Sequence, residues 1–408
     1  MSSTRHFTQK HIAASLTLAF LSLLHQNATV MSFEVPFPPS PAEIRASTVL
    51  SKNSLLATSA ATLPPNLPLP VTQSVQLNSG TKAEVIYCLP PKQALPTNFL
   101  SSFFGGNEQK STQSNKPVLA FLHGSFHASW CWSEYYMPFF AGLGYPCVAL
   151  SLQGTGGTPA IPEGVKKVKI ASHVADLDSF LRGLSTPSKY DLGLNLGDNP
   201  QIVLIGHSFG GLTIMKWLEQ YYSESTDRMD INLAGVGLLC SVPPSGNGPM
   251  TLRYLFRSLS DSWKITVGFA MKKAIVDKAL CRELFFGGDS PESGISDEDL
   301  ERYQAYFDRD TAATIDLGDL AGKLPSKLVD RETGNALFLR NLQQLPLKPY
   351  VLGASDDFIV DKEGVSETGR YMGLDEQDID IVDSPHDVML GKKWRNGANA
   401  ILQWIQGI

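Results

Sequence analysis

Cysteine is scarce in this chain. Five residues in 408 (Cys88, Cys131, Cys147, Cys240 and Cys281), none of them in a C-x-x-C pair, are too few and too scattered for a disulfide scaffold and read as buried thiols. Charge is also sparse, at 18% Asp, Glu, Lys and Arg, and its balance is acidic: 34 Lys plus Arg against 40 Asp plus Glu, a net −6. A phosphate-binding basic face is therefore not expected, and with it no nucleic-acid partner. Beyond the N-terminus no apolar run reaches the ~20 residues a membrane-spanning helix needs, so no stable span is expected in the mature chain. HExxH, a Walker loop, clustered Cys/His sets and internal repeats are all lacking. Apolar residues are plentiful: 43% hydrophobic content suffices for a sizeable core.

Residues 1–32 carry basic Arg5 and Lys10, the apolar stretch Ile12 to Leu24, then small and polar residues through Ala28, Val30 and Ser32. That is the layout of a secretory signal peptide. Residues 33–70 are rich in Pro, Ser, Thr and Ala without sustained periodicity and read as an unstructured spacer or transit segment. A signal peptide followed by Phe33 and an acid-poor, Ser-rich tract resembles the two-part plastid leaders of algae with secondary plastids. The secretory route or a plastid is the expected destination, and a start at Met31 would instead leave the chain cytoplasmic.

From Val71 the pattern becomes α/β. Val71 to Leu77 and Ala83 to Cys88, joined by Asn78-Ser79-Gly80, predict an antiparallel edge hairpin. Pro117 to Leu122, Tyr145 to Leu152, Gln201 to Ile205 and Leu233 to Cys240 are continuously apolar, as strands of a parallel sheet covered on both faces are. Helical patterns occupy Ala171 to Leu184 and Gly211 to Tyr222; strands Pro349 to Gly353 and Asp378 to Val382 and a helix near Lys393 to Ile405 complete the series. The expected architecture is a mostly parallel sheet with helices on both faces, a core of residues 71–240 and 346–408. A helical cap, 241–345, is inserted between them, with segments Thr251 to Leu259, Ile265 to Leu284, one opening at Ser296 with Asp299 three residues on, and Asn335 to Gln344.

The chemistry starts at Gly206-His207-Ser208-Phe209-Gly210-Gly211, directly after a strand and opening a helix. The pentapeptide alone is a weak signal; the strand-to-helix turn makes it specific, since small residues at 206 and 210 let neighbouring segments pass and leave the Ser208 hydroxyl exposed above the sheet. A serine hydroxyl needs a base, and the base a carboxylate. Of eight histidines, His6, His11 and His25 lie in the leader, His173 in a helix, and His207 beside the nucleophile; His123 reads as a brace for its loop. His127 remains a candidate, but His386, in the loop after the Asp378 to Val382 strand, is the expected base. Asp356, three residues after Gly353, is the expected acid, with Asp357 as the competing one. The backbone N–H groups of Phe209 and of Ser125, in the turn His123-Gly124-Ser125, are the expected oxyanion donors. Gly154-Thr155-Gly156-Gly157 lacks the third glycine of a dinucleotide loop, Pro159 standing there, and reads as a turn beside the site.

These motifs resemble the α/β-hydrolase superfamily over residues 71 to 408, and His123-Gly124-Ser125-Phe126-His127-Ala128-Ser129-Trp130-Cys131-Trp132 is similar to the HGxxHxxWxW stretch of plant methyl esterases and hydroxynitrile lyases. The resemblance implies a Ser-His-Asp triad, here Ser208, His386 and Asp356, with no metal or cofactor. The lyase branch has threonine where Gly124 stands and lysine where Asp387 follows His386, which disfavours cyanohydrin cleavage. The cap is longer than in those enzymes, so their substrates do not carry over. The expected activity is cleavage of a small apolar ester or acyl compound through an acyl-enzyme, with acyl transfer, or ligand reception without turnover, as the alternatives. Phe126, Trp130, Phe256, Phe285 and Phe286 are candidates for the substrate pocket, and glycines 246, 248, 287, 288 and 294 suggest a mobile cap.

Overall fold

The computed structural model describes residues 67–91, 116–186, 192–194, 196, 197, 199–223, 231–250, 253, 264, 272–288, 294–344 and 347–408. The expected leader, nearly all of the spacer and most of the expected helix Thr251 to Leu259, Phe256 included, lie outside them.

Ten strands are present among these residues: β1 (Val71–Gln76), β2 (Lys82–Cys88), β3 (Val118–Leu122), β4 (Cys147–Leu150), β5 (Lys167–Val168), β6 (Ile202–His207), β7 (Leu233–Leu239), β8 (Thr314–Ile315), β9 (Lys348–Asp356) and β10 (Asp380–Pro385). Eight of them form one sheet in the order β1-β2-β4-β3-β6-β7-β9-β10. Only β2 opposes its neighbours; from β4 to β10 every pairing is parallel. The reason lies in composition. Every residue of β3, β4, β6 and β7 is buried, as strands under helices on both faces must be, whereas β1 is mostly exposed and suits an edge. The hairpin turns where expected, with Gly80 at φ +95° and its N–H donating to Leu77 O at 3.0 Å.

Helices among the described residues include α1 (Trp130–Ser133), α2 (Tyr136–Gly142), α3 (Ile170–Ser185), α4 (Phe209–Ser223), α5 (Lys278–Phe286), α6 (Asp297–Asp310), α7 (Leu317–Ala321), α8 (Lys362–Tyr371) and α9 (Trp394–Ile405). On α9, Trp404 stacks on Tyr350 of β9 with ring centroids 4.8 Å apart. No helix among the described residues is long and apolar enough to cross a membrane. All five cysteines are free and buried.

Between β7 and β9 the chain carries α5, α6 and α7. Ser296 caps α6 as expected, its hydroxyl accepting from Asp299 N–H at 3.0 Å. Beyond α6, β8 pairs in parallel with β5, a two-residue contact that no hydrophobic pattern announces. The expected helix Asn335 to Gln344 is a 3-10 run, Leu337–Gln344, and Phe338 packs edge-on against Tyr371 of α8.

The sheet sets the position of the site. Residues 123–125, 208, 357 and 386 each follow the C-terminal end of a parallel strand (β3, β6, β9 and β10), so the topology gathers them along one edge of the sheet.

Candidate active site

Ser208 sits between β6 and α4 with φ +53°, the left-handed region, which costs a residue with a side chain about 1–3 kcal/mol. The backbone around it offsets that cost. Its N–H donates to Leu239 O at 3.0 Å, and its own carbonyl accepts from Gly211 N–H at 3.0 Å and Val242 N–H at 3.2 Å. A Cβ on Gly210 would overlap Leu122 O and stand 2.6 Å from His123 O, and one on Gly124 would stand 2.7 Å from Ser208 Cβ. The turn after β3 therefore lies directly against the serine, and only glycine permits it.

His386 follows β10. Its Nδ1 is 2.9 Å from both carboxylate oxygens of Asp357, and the two side chains are 2% and 1% exposed. The carboxylate on the imidazole is thus Asp357 and not the expected Asp356. β9 runs three residues further than its apolar pattern indicates, through Asp356, which pairs in register with Pro385. Successive side chains on a strand face opposite ways. Asp356 accordingly points to the surface, 3.2 Å from Lys393 Nζ, and Asp357, the first residue past the strand, turns inward. Ile359 and Val360 N–H groups each donate to its Oδ1 at 2.8 Å, fixing the turn.

The turn after β3 is braced as expected by His123, whose Nδ1–H donates to Gly124 O at 2.8 Å while Nε2 accepts from Leu152 N–H at 3.0 Å. Burial pushes its pKa down to about 4, so the ring is neutral. Phe126 takes a left-handed backbone, φ +68°. Among the described residues neither Ser125 N–H nor Phe209 N–H donates to a backbone carbonyl. His207, passed over as a base, donates from Nε2 to His386 O at 3.0 Å. Burial, and then its histidine neighbours, hold its pKa well below the usual range. His127 donates from Nδ1 to Ser125 O at 2.7 Å and places Nε2 3.0 Å from Asp387 Oδ2. Sequence reasoning kept His127 only as a candidate behind His386 and noted Asp387 only as a departure from the lyases; the signal that links the two is spatial.

Of the candidate pocket residues, Phe126 and Phe285 face one another at 5.8 Å, and Phe285 lies 6.4 Å from the His386 ring. Phe307 of α6, not foreseen, touches both, at 6.0 and 5.0 Å. Phe286 is not brought to His386; it is fully buried on Tyr303 of α6. Trp130 is tied down, its indole N–H donating to Asp310 Oδ2 at 2.8 Å, while Gly156 N–H donates to Asp310 Oδ1 at 2.8 Å. The expected turn 154–157 thus fastens the end of α6. Arg302 adds two bonds to Glu134, at 2.6 and 2.9 Å.

Among the described residues two sets of side chains have metal-ligand spacing: Cys240, Asp357 and His386, and His207, His386 and Asp387. Several of their ligand atoms are already committed, although among the described residues Asp387 Oδ1 and His207 Nδ1 have no hydrogen-bond partner. His386 Nδ1 is bonded to Asp357 and His207 Nε2 to a carbonyl, and burial, then the Asp357 charge, push the Cys240 thiol far up, keeping it protonated.

Residues 119–390 match the model of the alpha/beta hydrolase family, and the chain belongs to that family. Methylesterase 2 of Arabidopsis thaliana is 26% identical over 116 residues, 27% of this chain and 37% of the relative. Methylesterase 3 of the same plant is 25% identical over 116 residues with the same coverage. The chain thus matches little more than a third of the length of these relatives. Among solved structures, a candidate lipase of Acinetobacter baumannii AYE superposes with a TM-score of 0.51 at 14% identity, covering 93% of this chain and 99% of the other. A Vigna radiata epoxide hydrolase mutant gives 0.51 at 14%, covering 83% and 99%. At that identity the likeness is one of fold.

Proposed function

We propose that this alpha/beta hydrolase cleaves a carboxylic ester through an acyl-enzyme on Ser208. The observation that carries the reading is the buried bond of His386 Nδ1 to the Asp357 carboxylate, on the loop beside a serine in a left-handed turn. With Nδ1–H donating to Asp357, the lone pair of His386 is on Nε2, the tautomer that can take the Ser208 proton as the hydroxyl attacks the ester carbonyl. Asp357 then stabilises the imidazolium. The oxyanion is received by the N–H groups of Ser125 and Phe209, held on adjoining backbones by the glycine contacts at 124 and 210. Collapse expels the alcohol, protonated by His386, and water repeats the sequence on the acyl-enzyme.

The buried aromatic cluster of Phe126, Phe285 and Phe307 beside His386 favours a small apolar acyl group, and the methylesterase relatives favour methanol as the leaving alcohol. The test is a panel of esters varied separately in acyl and alcohol parts, run beside Ser208→Ala and a fluorophosphonate probe. Covalent labelling at Ser208 and a loss of about 10⁴-fold or more in kcat on Ser208→Ala are expected, because triad members act as a unit. Binding without labelling or turnover would instead mark a receptor, and product appearing only with an added alcohol or amine acceptor would mark an acyltransferase.

A further inference from the structure

The His127–Asp387 contact is a buried ionisable pair that the mechanism above does not use. The side chains are 1% and 0% exposed. A neutral imidazole has one N–H and one lone pair, yet both nitrogens of His127 face acceptors: Ser125 O at 2.7 Å from Nδ1 and Asp387 Oδ2 at 3.0 Å from Nε2. One proton more than a neutral ring carries must therefore lie between His127 and the carboxylate.

The surroundings favour the ring as its holder. Trp130 stacks on the imidazole at 5.5 Å with a 22° tilt, and Phe307 and Phe285 close around it at 4.9 and 6.0 Å; aromatic faces stabilise a cation. Asp310, bonded to the Trp130 indole, is ion-paired with Arg309 at 2.7 and 2.8 Å, so its charge is largely balanced and Asp387 is the carboxylate that decides, while the adjacent imidazoles of His123 and His207 are neutral. Burial disfavours the imidazolium, but the Asp387 charge and the two hydrogen bonds outweigh it, and the His127 pKa stands above its ordinary value.

The two ends of the ring matter for the chemistry. Ser125 O belongs to the peptide that leads into left-handed Phe126, so His127 holds the plane on the C-terminal side of Ser125, while His123, bonded to Gly124 O at 2.8 Å, holds the preceding plane, which carries the Ser125 N–H; the two imidazoles fix the residue from both sides. Asp387 is the residue after His386, and its own N–H donates to Phe285 O at 3.2 Å. We propose that His127 is a positioning residue: a doubly protonated ring whose two N–H donors set the oxyanion loop at Ser125 against the loop that carries the base, His386. The proposal rests on the reading of Ser208 as the nucleophile. It goes beyond that reading by making the Asp387 carboxylate part of what pre-organises the oxyanion donor.

Two measurements test it in the full chain. The first is ¹⁵N-histidine NMR of the wild type and of Asp387→Asn at about pH 8, where an ordinary imidazole is neutral. One ring protonated on both nitrogens is expected in the wild type and none in Asp387→Asn; no such ring in the wild type overturns the proposal, whatever the enzyme's activity. The second is the double variant His127→Phe/Asp387→Leu, which leaves no charge stranded in the interior and is chosen to fold. Per Ser208 titrated with the fluorophosphonate, kcat should fall about 10- to 100-fold with KM within about twofold, and affinity for a trifluoromethyl ketone, whose adduct presents an oxyanion, should fall by the same factor. Asp387→Asn, able to bond Nε2 through its amide, should recover most of what Asp387→Leu loses. A double variant with wild-type kcat per titrated site but lowered thermal stability would make the pair structural and overturn the proposal. Failure of the ester hydrolase reading is told apart by Ser208→Ala and by the wild type's own turnover.

Discussion

Around Ser208 the chain is held by shape, through backbone hydrogen bonds and glycines pressed against carbonyls, with no charged side chain among the ties. Around His386 it is held by buried polar and ionisable pairs: His386 on Asp357, His127 on Asp387, His207 on a carbonyl. Ties of shape are indifferent to pH and salt and fail when a methyl group is added. Ties of charge tolerate small changes of volume and fail when a proton or a charge is removed. The site thus joins a rigid nucleophile to a base whose placement is electrostatic.

The largest effect should come from the electrostatic half. Asp357→Asn keeps the volume but leaves His386 without the carboxylate that fixes its tautomer, and kcat should fall by about 10⁴-fold, whereas Asp356→Asn, at the surface on Lys393, should stay within about twofold of wild type in the same assay. A larger loss at 356 than at 357 would overturn the assignment of the inward-facing acid. In the shape-held half, Gly210→Ala drives a Cβ into the Leu122 carbonyl; urea melts should show a loss of about 1–3 kcal/mol, with activity reduced even where the protein remains folded. An unchanged midpoint and kcat would mean that the backbone gives way and that shape does not define the elbow.

The smallest effect is in the pH dependence of stability. Burial lowers the pKa of His123 to about 4 and of His173 to about 3, below the ordinary 6.5 of the unfolded chain. The unfolded state therefore binds protons that the folded state refuses. Stability should fall as pH drops from about 6.5 toward about 4, each histidine adding a slope of at most about 1.4 kcal/mol per pH unit. His127, raised by Asp387, acts in the opposite sense: its contribution is complete below about 6.5 and is lost as pH rises through its elevated pKa. Thermal melts from about pH 4 to about pH 9 should show both limbs, and His173→Phe should flatten only the acid one.

The same division governs what could be read from sequence. The elbow is local: strand, five residues and helix lie in one stretch, and the glycines declare the close approach. The parallel sheet was legible too, because strands buried on both faces have no polar alternation. The acid was missed by one position, since the apolar pattern of β9 ends at Gly353 while its hydrogen bonding continues to Asp356, and on a strand one residue decides between surface and site. The β5–β8 pairing and the His127–Asp387 contact join segments far apart in the chain, and no local period records them.

The distances along the chain between those partners have a consequence for how the molecule is made. Trp130 and Asp310 are separated by 180 residues and His127 and Asp387 by 260. Closing loops of that length forfeits chain entropy before any contact repays it. A nascent chain can register β3, β4 and β6 and form the serine turn while its last strands are still being synthesised. The base, its acid and the carboxylate paired with His127 follow the serine by a long stretch of chain, so the polypeptide acquires a nucleophile first and the means to activate it only later.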